Sequence, residues 1–118
     1  MREPKLIIAT GTKGVGKTHT TCGVIQNYIQ SNPATGKIGR KVLIYDVNEE
    51  YGNEEIRKKG FNFVTKTLAI KDLYRWTNQP NTEVRRILPR DEKGNLLNAD
   101  QMIKLLGQIL HVYRGGML

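Results

Sequence analysis

The chain has 118 residues, enough for one compact domain and too few for two separate cores. Apolar residues at 38% and charged residues at 25% fit a globular chain and exclude collagen-like or low-complexity sequence; no run approaches the length of a transmembrane helix. Lys and Arg outnumber Asp and Glu 19 to 11, a net charge of +8 that favours polyanionic partners in general, but the excess is spread over both halves of the chain and names no partner by itself. The single cysteine excludes an internal disulfide. With no signal-like apolar run after Met1-Arg2-Glu3-Pro4-Lys5, the expected compartment is the cytoplasm and no membrane insertion is expected.

Lys5-Leu6-Ile7-Ile8-Ala9-Thr10 is an apolar run ending at a glycine, the pattern of a strand buried on both faces. After a glycine-rich stretch, Thr18 to Gln30 carries Cys22, Ile25 and Ile29 at helical spacing, and Asn32-Pro33 ends that helix. Lys41 to Val47 is a second buried strand. Asn53 to Gly60 predicts a short helix with Asn53 as cap, acids in its first turn, bases in its last and a glycine behind it. A third strand is predicted over Phe61–Thr65, a short helix over Ile70–Thr77 and a weaker strand over Val84–Pro89. Around Gly94 the chain turns. Asn98 and Gln101 form a capping-box pair ahead of a helix striped by Met102, Leu105, Leu106, Ile109, Leu110 and Tyr113. Strands alternating with helices predict βαβ units and a mostly parallel sheet.

Gly11-Thr12-Lys13-Gly14-Val15-Gly16-Lys17-Thr18 matches G-x-x-x-x-G-K-[ST] at every fixed position, between a predicted strand and a predicted helix. Glycines let the backbone wrap so that successive N–H groups point at a phosphate chain, and the following helix adds its positive end. Lys17 supplies a charge for the β- and γ-phosphates, and the Thr18 hydroxyl is suited to Mg²⁺. His19, next in the chain, is a candidate to touch a phosphate or a base, although an exposed helix position is the favoured reading. Asp46 ends the second strand, where open α/β sheets put their ligand sites. Two readings of Asp46 stand side by side, a magnesium ligand or a cap for the turn leaving the strand. Glu49 and Glu50 are candidates to position an attacking water or are simply solvated.

The loop, together with Ile44-Tyr45-Asp46-Val47-Asn48-Glu49-Glu50-Tyr51, resembles the FtsK/HerA-type P-loop ATPases, motors of DNA translocation, conjugation and phage packaging. That resemblance implies a three-layer α/β P-loop NTPase core of RecA-like, additional-strand type, with ATP and Mg²⁺ as ligands. It also implies DNA as a partner and a ring-shaped homo-oligomer. Gly11 to Thr18 carry over to the family's phosphate loop, and Asp46, Glu50 and Tyr51 to its second-strand signature. Lys17, Asp46 and Glu50 become the expected catalytic set, with Thr18 and Asp46 at the metal. The family's Walker B strand, an apolar run ending in two acids, does not follow Asp46. The expectation is therefore the N-terminal portion of a longer ATPase domain, its sheet incomplete after Gly115-Gly116-Met117-Leu118. A ParA-like ATPase is the nearest rival, although its signature lysine position holds Thr12 here. A small P-loop kinase with a lid at 85–93 and a non-catalytic nucleotide-binding module are the others.

Cys22 is expected in the core, and Tyr74 and Trp76 are expected to pack there more readily than to stack on a base. With so few His and Cys, no structural zinc site is expected. Arg85, Arg86, Arg90 and Arg114 are candidates for an arginine finger acting on a neighbouring subunit.

Overall fold

The computed structural model describes residues 5–9, 17–30, 34–36, 39–79, 82–114 and 116, with the backbone alone described for 5–9, 17 and 18. Strands β1 (Lys5–Ala9), β2 (Val42–Asp46), β3 (Thr65–Thr67) and β4 (Val84–Ile87) form one sheet in the order β1-β2-β4-β3, and every pairing is parallel. Between them run helices α1 (Lys17–Ile29), α2 (Asn53–Lys58) and α3 (Leu73–Thr77), the last preceded by a 3₁₀ turn at Ile70–Asp72; α4 (Ala99–Tyr113) follows β4. This is an α/β fold with helices on both faces of a parallel sheet.

The handedness of parallel crossovers explains the layering. The chain moves across the sheet in one direction from β1 to β2 and on to β3, so α1 and α2 fall on the same face. It then steps back from β3 to β4, which puts α3 on the other, and α4 packs beside α3 there. Two cores result. Cys22 and Ile25 of α1 and Ile56 of α2 pack with Val42, Ile44, Tyr51, Phe63 and Val84. Leu73 and Trp76 of α3 and Leu105, Ile109 and Val112 of α4 pack with Leu43, Tyr45 and Ile87. Because β2 is covered twice, all five of its residues are buried, which is why its sequence reads as a continuous apolar run. A fully buried aliphatic side chain such as Ile25 or Ile109 contributes about 2 kcal/mol. Tyr45 inserts its ring into the second core and donates its hydroxyl to the Met102 carbonyl at 3.0 Å, so nothing polar is stranded there.

Two predicted elements move. Residues 61–64 do not pair; the strand begins at Thr65, because its partner β4 begins at Val84, the residue that faces Thr65. Asn53 does not cap α2. Gly52 holds the N-cap position without a side-chain bond, while Asn53 accepts the Thr65 N–H at 2.8 Å and donates to the Thr65 carbonyl at 3.2 Å, tying α2 to the start of β3. The other end of α2 is as expected: Gly60, at φ 88, closes it with N–H bonds from Gly60 to the Arg57 carbonyl and from Phe61 to that of Ile56. Asn98 and Gln101 form the full capping box of α4. Among the described residues, no helix is long and apolar enough to cross a membrane.

Candidate functional site

Four parallel strands present their carboxyl ends at one edge, and the connections that leave that edge part company. Those after β1 and β2 go to one face, and those after β3 and β4 go to the other. The crevice lies where they diverge, between β2 and β4, and in open α/β sheets this is where ligands bind. β1 ends at Ala9, which pairs with Asp46, and α1 begins at Lys17, so the segment between them springs from the same edge. Gly11, Thr12, Lys13, Gly14, Val15 and Gly16 lie outside the described residues, as do the side chains of Lys17 and Thr18. His19 is exposed in the first turn of α1, its ring centroid 5.2 Å from that of Phe61.

Asp46 is fully buried and both of its carboxylate oxygens are occupied. Oδ1 accepts the Glu50 N–H at 2.8 Å; Oδ2 accepts the Tyr51 N–H at 2.9 Å and Nη1 of Arg86 at 2.9 Å. The strand pattern brings this about. Val42, Ile44 and Asp46 share a face, Arg86 stands beside Ile44, and the guanidinium therefore meets the carboxylate one step further along. The two N–H bonds bend the chain after β2 back over the strand end. Within that turn Tyr51 is buried, which pushes its phenol up, with a hydrogen bond to Thr21 pulling the other way.

A second acid–arginine pair crosses the crevice higher up. Glu49 meets Arg90 in a two-point contact, Nε to Oε1 at 2.5 Å and Nη2 to Oε2 at 3.0 Å, which holds the Arg90 guanidinium above its ordinary range. Arg90 belongs to a small hairpin in which it bridges Leu96, Nη1 donates to the Gly94 carbonyl at 2.8 Å, and the Asp91 carboxylate accepts the N–H groups of Lys93 and Asn95. Glu49 itself has a left-handed backbone, φ 54, which is uncommon outside glycine. The Glu50 backbone is fixed by Asp46, and its side chain is half-buried.

Arg86 and Arg90, expected as fingers for a neighbouring subunit, thus find their acids within this chain, and Glu49 is paired. The signal for Arg86 was in the sequence. A charged residue inside a strand bounded by Val84 and Ile87 needs a buried opposite charge, and Asp46 is the acid that ends the neighbouring strand. Nothing in the sequence marks the Glu49–Arg90 contact, which depends on two loops meeting. On the other face of the sheet, a cleft of about 760 Å³ opens beside the hairpin, floored by Leu68, Ile70, Ile87, Leu88 and Leu105. Among the described residues, no group of three or more His, Cys, Asp or Glu side chains is placed to hold a metal ion. The chain matches no family model, no curated protein and no solved structure.

Proposed function

We propose that this chain binds a Mg²⁺-nucleoside triphosphate, ATP in the first instance, through residues 11–18, and that it serves as the nucleotide-binding part of a DNA-associated P-loop motor of the FtsK/HerA kind. The observation that supports the reading is what flanks the motif: a parallel strand ends at Ala9 and a thirteen-residue helix begins at Lys17, the strand-then-helix context that the motif requires. In this reading the backbone of Gly11 to Gly16 cradles the phosphates, Lys17 adds charge to them and the Thr18 hydroxyl is the protein's ligand to magnesium. Asp46 holds the turn behind β2 and the Arg86 guanidinium, and its Oδ2 already accepts two hydrogen bonds. DNA as the polyanion and a ring assembly belong to the same proposal, on the strength of the resemblance and the +8 charge.

One observation favours a second reading, a nucleotide-binding module without turnover. Asp46 and Glu49, two of the carboxylates placed to serve hydrolysis, are each engaged by an arginine. Phosphate release from Mg²⁺-ATP separates the two. Steady release abolished by Lys17→Ala supports the ATPase. Binding of ATP, lost in Lys17→Ala but with no release of phosphate, supports the module. Absence of binding overturns both.

A further inference from the structure

Asp72, Arg75, Trp76 and Gln79 follow one another at spacings of three, one and three, the positions that share one face of a helical run. The Gln79 N–H bonds to the Trp76 carbonyl, which carries that run past the end of α3. The face looks onto the sheet, because Trp76 is buried there with Leu43 and Ile87. Arg85 of β4 rises from the same side of the sheet, since it pairs with Leu43. Together with Leu68 these residues line a pocket of about 200 Å³. A water takes about 30 Å³, so a tetrahedral oxyanion fits with room to spare.

The polar groups around the pocket suit such an ion. Arg85 is held by two bonds, Nε to Oε1 of Glu83 and Nη1 to the Thr67 carbonyl, both at 3.1 Å, and neither uses its Nη2. Among the described residues, the Arg75 guanidinium meets no acid and the Gln79 carboxamide makes no hydrogen bond. Guanidinium groups bind oxyanions through charge-assisted hydrogen bonds, the strong kind. Asp72 narrows the choice of anion. Its carboxylate lines the same pocket, half-buried, and caps nothing. An ionised carboxylate only accepts hydrogen bonds, so it repels a bound anion unless that anion brings a proton to share. Hydrogen phosphate carries such an O–H. Sulfate has none, and neither has the dianion that a phosphate monoester becomes above about pH 6.

We propose that this pocket binds inorganic phosphate, with Arg75, Arg85 and Gln79 holding its ionised oxygens and Asp72 accepting its remaining O–H. The pocket shares no residue with the crevice between β2 and β4 or with residues 11–18, so the proposal stands apart from the nucleotide reading. Trp76, the single tryptophan of the chain, lines it and serves as a built-in reporter.

The test is calorimetric titration of the full chain with phosphate, sulfate and methyl phosphate at about pH 8, where the monoester is a dianion, with Trp76 fluorescence followed in parallel. Wild type is expected to bind phosphate and to bind the other two about tenfold more weakly. Arg75→Ala and Arg85→Lys each weaken phosphate about tenfold, the loss of a charge-assisted contact. Asp72→Asn, whose carboxamide donates, lets sulfate bind as tightly as phosphate. Absence of phosphate binding at millimolar concentration, or sulfate bound by wild type as tightly as phosphate, overturns the proposal. Phosphate binding that survives both arginine changes overturns it too, and its loss in Lys17→Ala would then assign the ion to residues 11–18. Arg85 also braces Glu83 and the end of β3, so if Arg85→Lys fails to fold, Arg75→Ala and Asp72→Asn decide.

Discussion

Asp46 does for this fold what a buried charge must do to be tolerated: each oxygen is met by a donor, and a neighbouring-strand arginine supplies an opposite charge. Truncating it strands the Arg86 guanidinium and two backbone N–H groups together. Asp46→Ala is therefore expected to cost about 3 kcal/mol or more in denaturant unfolding, and Arg86→Ala a comparable amount. The double variant should cost less than the sum, because each single change removes the same pair. A cost under about 1 kcal/mol for Asp46→Ala would mean that the carboxylate is not holding the turn after β2. Burial also marks Cys22, Tyr45 and Tyr51, whose acid groups are all pushed above their ordinary values. The folded chain keeps each of them protonated at a pH where the unfolded chain has released the proton. Stability is thus full below the ordinary values of 9.0 for the thiol and 10.0 for the phenols and falls as pH rises past them. Lys41 works in the opposite sense. Burial holds its ammonium below 10.5, so its share of stability grows as pH rises towards that value. Tyr45→Phe removes one of the groups that lose stability with rising pH, so its unfolding midpoint, followed from about pH 8 to 11, should fall less with pH than that of wild type.

At the scale of elements, what the sequence made legible follows from how local the cause is. The capping box of α4, the glycine that ends α2 and the continuous burial of β2 are written in residues next to one another, and all three are present. Asn53 and the third strand were misplaced because their partners are distant in sequence. Asn53 gives up the cap for Thr65, twelve residues on, and the strand can start only where Val84 stands opposite. Of the two aromatics expected in the core, Trp76 is buried and Tyr74 is exposed, since the two lie on different sides of the short helix α3; nothing local says that the Trp76 indole donates to Glu83 at 2.5 Å and that the Lys41 ammonium bonds its carbonyl and lies over its ring. In the candidate site, Asp46 at the end of a buried strand was legible, while residues 11–16 of the motif lie outside the described residues. The crevice between β2 and β4 was not legible, since it exists only through strand order. Two substitutions test this level. Asn98→Ala removes the side-chain half of a reciprocal cap, leaving the residue-98 N–H on the Gln101 carboxamide, and is expected to cost about 1 kcal/mol. Gly94, at φ 85, allows the turn that braces Arg90, so Gly94→Ala should cost about 1 kcal/mol and loosen the hairpin. Chemical-shift changes confined to residues 89–97 would identify that loosening, whereas changes spread through α4 would contradict it.

Across the whole molecule, one arrangement unites these parts. Parallel strands and right-handed crossovers put α1 and α2 on one face and α3 on the other, where α4 packs beside it, and that division sets the crevice at which Asp46 meets Arg86 and Glu49 meets Arg90. β1, which ends at Ala9, is the neighbour of β2 on the side away from that crevice. The functional account depends on the glycine-rich segment receiving a phosphate chain, and thermal unfolding with and without Mg²⁺-ATP, Mg²⁺-GTP and ADP, beside the Lys17→Ala variant, tests it most directly. A ligand that binds only the folded chain adds about 2.7 kcal/mol at one hundred times its dissociation constant, a rise of several degrees for a domain of this size. The expected result is such a rise with nucleotide that disappears in Lys17→Ala. A cooperative transition that no nucleotide moves, or one that moves equally in Lys17→Ala, would contradict the account.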